Sequence, residues 1–377
     1  MKIILLSNNT FTVFGGYEKV VNFVLKNIFK NSEIVILSLP HYKSFNEKPI
    51  LNEFQDFNFI CDSECNSKIE YLVKIIFRRF LFNNLMINQN IILKYQNEIK
   101  NTNLIIVTDP LILNSIHTVQ NKLKINKKVI YWDHGSLFGY LKGFLSKLFY
   151  KNEIIKGLKK TNHFIAIAND IKNKVKQYNP NAEVIVSYNP LVNKPKHLVK
   201  RSQKNIFIFV GRISDKDKNI SFLFKGLSLI HRNDWLLKIY GQGEDENKLK
   251  KYAKKLKIHK NIEWKGFYNE PFSDITEATA LLLTSRWEGF GMVLVEANAC
   301  GIPVISSDCI SGPKDIVIPG RNGVLFKEGK LKDFVFYVKN VMDGSITFDT
   351  PENIAQTAER FNEARVLKTI KGVINYE

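Results

Sequence analysis

Six short apolar runs in the first half of the chain, each parted from the next by a stretch of helical periodicity, leave few ways for it to fold. The runs cover residues 2–7, 33–39, 104–108, 129–132, 163–167 and 184–187. Strands alternating with helices at this spacing predict β-α-β units and a parallel sheet. Across 189–204 the pattern stops, and two Pro with five Lys or Arg read as an exposed linker. It then restarts, with strands expected over 205–210, 236–240, 261–265, 280–284, 304–307 and 323–326. Helices are expected over 220–230, 245–256 and 291–300, the last stopped by Gly301 and Pro303.

The chain has 377 residues, 45% of them apolar, which suits two domains with sizeable cores. The expected division is a first domain over 1–188, the linker, a second domain over 205–350, and C-terminal helices over 351–377 crossing back to the first. Ligands of open α/β sheets bind beyond the carboxyl ends of the strands, so two such domains are expected to face each other across a cleft. The turn after the first strand runs from Ser7 to Gly16 and lacks the G-x-G-x-x-G spacing, which weighs against a nicotinamide or flavin enzyme. Four Cys form neither a disulfide framework nor a zinc set. The N-terminus is too polar for a signal peptide and no run is long enough to span a bilayer, so the expected location is the cytoplasm.

A formal charge of +19 calls for an anionic partner. Residues 1–200 hold 28 Lys+Arg against 14 Asp+Glu, so most of the excess lies in the first half. Residues 137–160 carry six Lys against one Glu among aromatics at helical spacing, and Phe77-Arg78-Arg79-Phe80-Leu81-Phe82 is similar in style. Basic amphipathic segments of this kind suit an anionic membrane face. No nucleic-acid module accompanies the charge, and no nucleic-acid partner is expected.

The densest chemistry lies in Ser285-Arg286-Trp287-Glu288-Gly289-Phe290-Gly291-Met292-Val293-Leu294-Val295-Glu296, between an apolar strand and a helix. Gly289 and Gly291 allow close backbone approach, and the free N–H groups of the helix start favour a phosphate. Glu288 sits on the loop, Glu296 inside an apolar helix. In the first half, Asp133-His134 directly follows a strand, where an imidazole can orient a hydroxyl.

Glu, seven residues, Glu, with Gly-Phe-Gly after the first acid, resembles the motif of retaining glycosyltransferases of the GT-B fold, family 4. Other segments resemble that family in the same order along nearly the whole chain: Gly15-Gly16-Tyr17-Glu18, Tyr188-Asn189-Pro190, Gly211-Arg212 with Lys218-Asn219, Gly241-Gln242-Gly243, Lys265-Gly266-Phe267, and Ser311-Gly312-Pro313-Lys314-Asp315-Ile316 with Asn322-Gly323. The resemblance implies an α/β GT-B protein of two Rossmann-like domains that uses a UDP-sugar, without cofactor or metal. Arg212 and Lys218 would neutralise the diphosphate, and fixed cations there stabilise the charge that builds on the leaving group. Glu296 would accept from the ribose hydroxyls. Glu288 would face the transferred sugar, supported by the amides of Gly289, Phe290 and Gly291, with Met292 and Val293 at the helix start. Gly15, Gly16, Gly211, Gly241, Gly266 and Phe267 complete the donor set, and Asp133 and His134 would meet the acceptor.

The resemblance further implies transfer of a hexose or N-acetylhexosamine to a lipid-linked glycan, in lipopolysaccharide or capsule synthesis, by a peripheral protein at the inner face of the cytoplasmic membrane. UDP is expected over GDP from the Gly312-Pro313 segment. Two departures stand out. The Arg212 to Lys218 spacing is one residue longer than the common family pattern, which leaves Lys216 as an alternative phosphate ligand, and Asp315 replaces a Glu. Asp215-Lys216-Asp217 mimics a metal motif, but the Lys between the acids argues against a metal. A nucleotide-sugar epimerase of the same fold is the nearest rival, ahead of a basic membrane- or nucleic-acid-binding protein.

Overall fold

The computed structural model describes residues 1–8, 16–39, 56–62, 89–142, 150–192 and 194–374. Gly15, the basic stretch around Phe77 and residues 143–149 lie outside them. The chain divides into two units, Met1–Tyr188 with Val366–Glu377, and Asn189–Arg365.

In the first unit the described strands are β1 (Lys2–Ser7), β2 (Glu33–Ser38), β3 (Asn58–Cys61), β4 (Leu104–Val107), β5 (Lys128–Asp133), β6 (His163–Ala166) and β7 (Glu183–Val186). They form one parallel sheet in the order β3-β2-β1-β4-β5-β6-β7. Ile3 to Leu6 are at most 1% exposed, as expected of strands covered on both faces. After β3 the chain returns past β1 to add β4 on its other side, so the connections leaving β1 and β4 run to opposite faces and open a crevice at their carboxyl ends. Leu6 pairs with both Leu37 and Val107, which brings Ser7 and Thr108 to its rim.

On this sheet the helix Lys151–Lys160 crosses Pro110–Leu123 closely. A Cβ on Gly157 would lie 2.6 Å from Leu113 Cβ, so only glycine permits that approach. Asn114 Nδ2 donates to Glu153 Oε2 at 2.6 Å across the crossing.

The second unit repeats the plan. Strands β9 (Ile206–Val210), β10 (Leu236–Tyr240), β11 (Ile262–Gly266), β13 (Ala280–Leu283), β14 (Val304–Ser307) and β15 (Gly323–Phe326) form a parallel sheet in the order β11-β10-β9-β13-β14-β15. Its crevice lies between β9 and β13. Phe207, Phe209, Leu223, Phe224, Leu237 and Phe334 are buried in the core on one side.

Three expectations change. The segment 189–204 is not a plain exposed linker: Leu191, Val199 and Ser202 are buried, and β8 (Lys200–Arg201) pairs with β12 (Glu277–Ala278). Alternating burial of a few anchors on a basic strip gives no apolar run for sequence reading to find. The C-terminal stretch 351–377 does not act as one piece. Helix Pro351–Ala358 packs on helix Met292–Ala299 of the second unit, and only from Val366 does the chain belong to the first. The third is β3, an edge strand with a half-exposed Asn-Phe-Ile-Cys pattern, missing from the expected strands.

Candidate active site

Three glycine-bearing strand ends knit the floor of the second crevice. Gly211 N donates to Tyr240 O at 2.9 Å, Gly241 N to Gly266 O at 2.7 Å and Ile213 N to Gln242 O at 2.9 Å. A Cβ on Gly241 would stand 1.9 Å from Gly211 O, so backbone contact requires glycine at this expected donor residue. Phe267 follows β11 with 62% of its surface exposed.

On the other side of the crevice, Glu288 is 9% exposed. Its Oε1 accepts from Lys218 Nζ at 2.7 Å and from Ser285 Oγ at 2.6 Å. The charge pair is partly desolvated, so removing either member leaves the other poorly compensated. Lys218 ends a short helix, Asp215–Lys218, closed by Asn219 in the left-handed conformation. Lys216 on the same helix is exposed. Arg212 is 67% exposed and its Nη2 lies 3.3 Å from Asp217 Oδ2. So exposed a pair is worth at most about 1 kcal/mol, and turning Arg212 to another anion requires little.

The Gly-Phe-Gly turn is held from behind. Ser311 Oγ donates to Gly289 O at 2.7 Å, and Gly312, at φ +102°, packs so tightly that a Cβ would meet Phe290 O at 1.7 Å. The Phe290 ring is 2% exposed and lies edge-on to Phe361, so its backbone is the part available to a ligand. Gly291, at φ +91°, precedes helix Met292–Ala299, with Met292, Val293 and Glu296 half-buried on it. The Asp-x-Asp acids are engaged: Asp215 Oδ1 accepts from Ser221 N at 2.7 Å, and Asp217 faces Arg212. Lys218, Glu288, the Gly289–Gly291 turn and Arg212 therefore gather around one strand-end crevice.

In the first unit, His134 follows β5. Its ring lies 4.8 Å from that of Tyr17, edge-on, and 4.4 Å from that of Trp132. Burial pushes the imidazole down to about 3, so it is neutral at physiological pH, and neither ring nitrogen has a hydrogen-bond partner among the described residues. A neutral imidazole supplies one donor and one acceptor. Tyr17 bridges the crevice, its hydroxyl 3.2 Å from Ser7 Oγ and 2.8 Å from Thr108 Oγ1. Asp133, 1% exposed, accepts at Oδ1 from Gly135 N, Ser136 Oγ and Leu137 N, and burial raises its pKa. It thus organises the turn that carries His134. Gly16 opens helix Gly16–Ile28 and is exposed.

Sequence reading assigned no role to Ser285, Arg286, Tyr17 or Asp109. Asp109 caps helix Pro110–Leu123 through Leu111 N at 2.9 Å and accepts from Tyr140 at 3.3 Å. Burial pushes it up to about 6. An Asp-Pro pair directly after a strand was the available signal.

Residues 193–361 match the family model for glycosyl transferases group 1. The matched residues lie within the second unit. The chain is 36% identical over 220 residues to the lipopolysaccharide 1,6-galactosyltransferase of Salmonella typhimurium, covering 56% of this chain and 61% of that one. It thus spans about three fifths of the length of that curated relative. The structure of lipopolysaccharide outer core galactosyltransferase WaaB in its apo form matches with a TM-score of 0.78 at 26% identity, over 99% of each chain. Anabaena HepE in complex with UDP matches at 15% identity and a TM-score of 0.72 over 100% of both. The fold is GT-B, with two Rossmann-like domains.

Proposed function

We propose that this protein is a retaining, metal-independent glycosyltransferase that moves a hexose or N-acetylhexosamine from a UDP-sugar to a lipid-linked glycan in surface polysaccharide or lipopolysaccharide synthesis. The observation that carries the reading is the Lys218–Glu288–Ser285 cluster at the second crevice, beside an exposed Arg212 free to turn. With donor bound, Lys218 and Arg212 serve the diphosphate and stabilise it as it leaves. Glu288, held by Ser285, turns its acceptor oxygens to the sugar hydroxyls. Glu296 serves the ribose. Lys218 is favoured over Lys216 because its ammonium already lies beside Glu288. In the first unit His134, neutral and unpartnered, orients a hydroxyl of the sugar or acceptor. The names of the relatives support galactose as the first sugar to try, and the UDP held by a protein of the same fold supports the nucleotide.

The test is turnover of UDP-galactose, UDP-glucose and their N-acetyl forms by purified protein with lipid-linked glycan, with EDTA present, and proton NMR of the product linkage. A UDP-sugar consumed in EDTA with its α-configuration kept is the expected result. Strict need for a divalent metal, an inverted product, or epimerised free sugar nucleotide would overturn it. Among the described residues no helix is long and apolar enough to cross a membrane. The basic excess of residues 1–200 supports peripheral binding at the cytoplasmic face. Flotation should be stronger with anionic than with neutral liposomes; equal binding to both would remove the membrane partner.

A further inference from the structure

We propose that Arg286, together with Thr284, is a positioning residue that fixes Lys218 in register with Glu288, an inference that rests on the glycosyl-transfer reading. Helix Asp215–Lys218 has a single turn and cannot be stable alone, since nucleating a helix is unfavourable and its last carbonyls have no partners within it. The strand end that leads to Glu288 supplies donors to them, in addition to the Asn219 N–H that Asp215 O accepts. Arg286 Nη1 donates to Asp215 O at 2.6 Å and to Lys216 O at 2.8 Å. Arg286 N donates to Asp217 O at 2.9 Å. The Thr284 hydroxyl is shared between Lys218 O at 3.0 Å and Asn219 O at 3.2 Å. Five consecutive carbonyls, from Asp215 to Asn219, are thus met by two residues lying two and four positions before Glu288.

The consequence is geometric. Lys218 and Glu288 are 70 residues apart in sequence, yet both are tied to one strand end by short bonds, so their 2.7 Å contact is set by the latch. Releasing Arg286 frees the turn that carries Lys218 and leaves the floor formed by Gly211, Gly241 and Gly266 untouched. Arg286 touches no reacting atom in this scheme. A guanidinium suits the place because one nitrogen carries two hydrogens in a rigid plane aimed at successive carbonyls.

The experiment compares wild type with Arg286→Ala, Arg286→Lys and Thr284→Val for donor kcat and KM, UDP affinity by calorimetry, and amide exchange. Misplacement of a catalytic cation by about 1 Å lowers turnover on the order of 10²-fold, so Arg286→Ala is expected to lose kcat on that scale, with a smaller loss of UDP affinity because Arg212 still serves the diphosphate. Arg286→Lys and added guanidinium ion should each restore part of kcat. The amides of Lys218 and Asn219, which donate to Ser214 O and Asp215 O, should exchange faster in Arg286→Ala while those of β9 do not. Unchanged kcat, or parallel loss of kcat and UDP affinity with no rescue, overturns the proposal. If wild type turns over no sugar nucleotide, the glycosyl-transfer reading has failed. The latch is then judged on exchange alone, and unchanged exchange at Lys218 and Asn219 refutes it separately.

Discussion

Asp109 offers a quantitative test of how the first unit handles a buried acid. It is 8% exposed, and desolvation raises its pKa from 3.8 to about 6 against the opposing hydrogen bonds from Leu111 N, Tyr140 and Asn8. A shift of that size corresponds to about 3 kcal/mol between the two protonation states. Between about pH 4 and pH 6 the folded chain holds this proton more tightly than the unfolded chain, so this contribution makes stability fall as pH rises through that window and level off above it. Asp109→Asn keeps an acceptor for Leu111 N and remains a good helix cap, yet carries no charge to bury. The variant should therefore be more stable than wild type at pH 7.5, by up to about 3 kcal/mol less roughly 1 kcal/mol for weakened charge-assisted bonds. The advantage should shrink by about 2 kcal/mol on going to pH 4.5, where wild type is largely protonated when folded. Urea unfolding followed by fluorine NMR of 5-fluorotryptophan-labelled protein reads the first unit through Trp132, while Trp235, Trp264 and Trp287 report the second. A stability difference that does not change between pH 4.5 and 7.5 would refute the reasoning, because it would mean Asp109 titrates alike in both states.

Lys218→Ala should lower transfer by at least about 10²-fold in steady-state assays, since the cation proposed for the leaving group is lost and Glu288 loses its charged partner; a loss under threefold would point to Lys216 instead. Gly312→Ala should abolish transfer, because a Cβ 1.7 Å from Phe290 O forces the Gly-Phe-Gly turn to move, and a crystal structure of the variant would show that displacement. Gly157→Ala should destabilise the first unit by about 1–3 kcal/mol through the Leu113 contact, read as a loss of urea resistance there without loss in the second unit.

Much of the sheet architecture was legible because both faces of each strand are covered, which writes strands as unbroken apolar runs such as Ile3 to Leu6 or Phe207 to Phe209. β1, β10, β14 and β15 match their expected bounds to the residue. The elements that escaped are held by features without periodicity. The β8–β12 pair has two residues a side, and the partition of 351–377 depends on which unit each helix packs against. Glu288 and Lys218 were legible as candidates through a family resemblance. The contact between them was not, because it depends on a strand end capping a helix that lies 70 residues earlier.

The two crevices have the same strand order but carry opposite electrostatics, and local backbone explains the difference. At the second, a one-turn helix and a glycine turn hold Lys218 and Arg212 where water still reaches them, 19% and 67% exposed, so their charge remains available to an anion. At the first, Asp109 and Asp133 each use an oxygen to cap the turn or helix just beyond the strand, and that capping draws both acids into the interior beside rings that exclude water. There burial raises both carboxyls and keeps His134 neutral. A crevice of that kind suits uncharged hydroxyl groups better than phosphate. Under the proposed function, a division of labour with diphosphate at the second unit and sugar hydroxyls at the first follows from the side chains that the strand ends use to cap their helices.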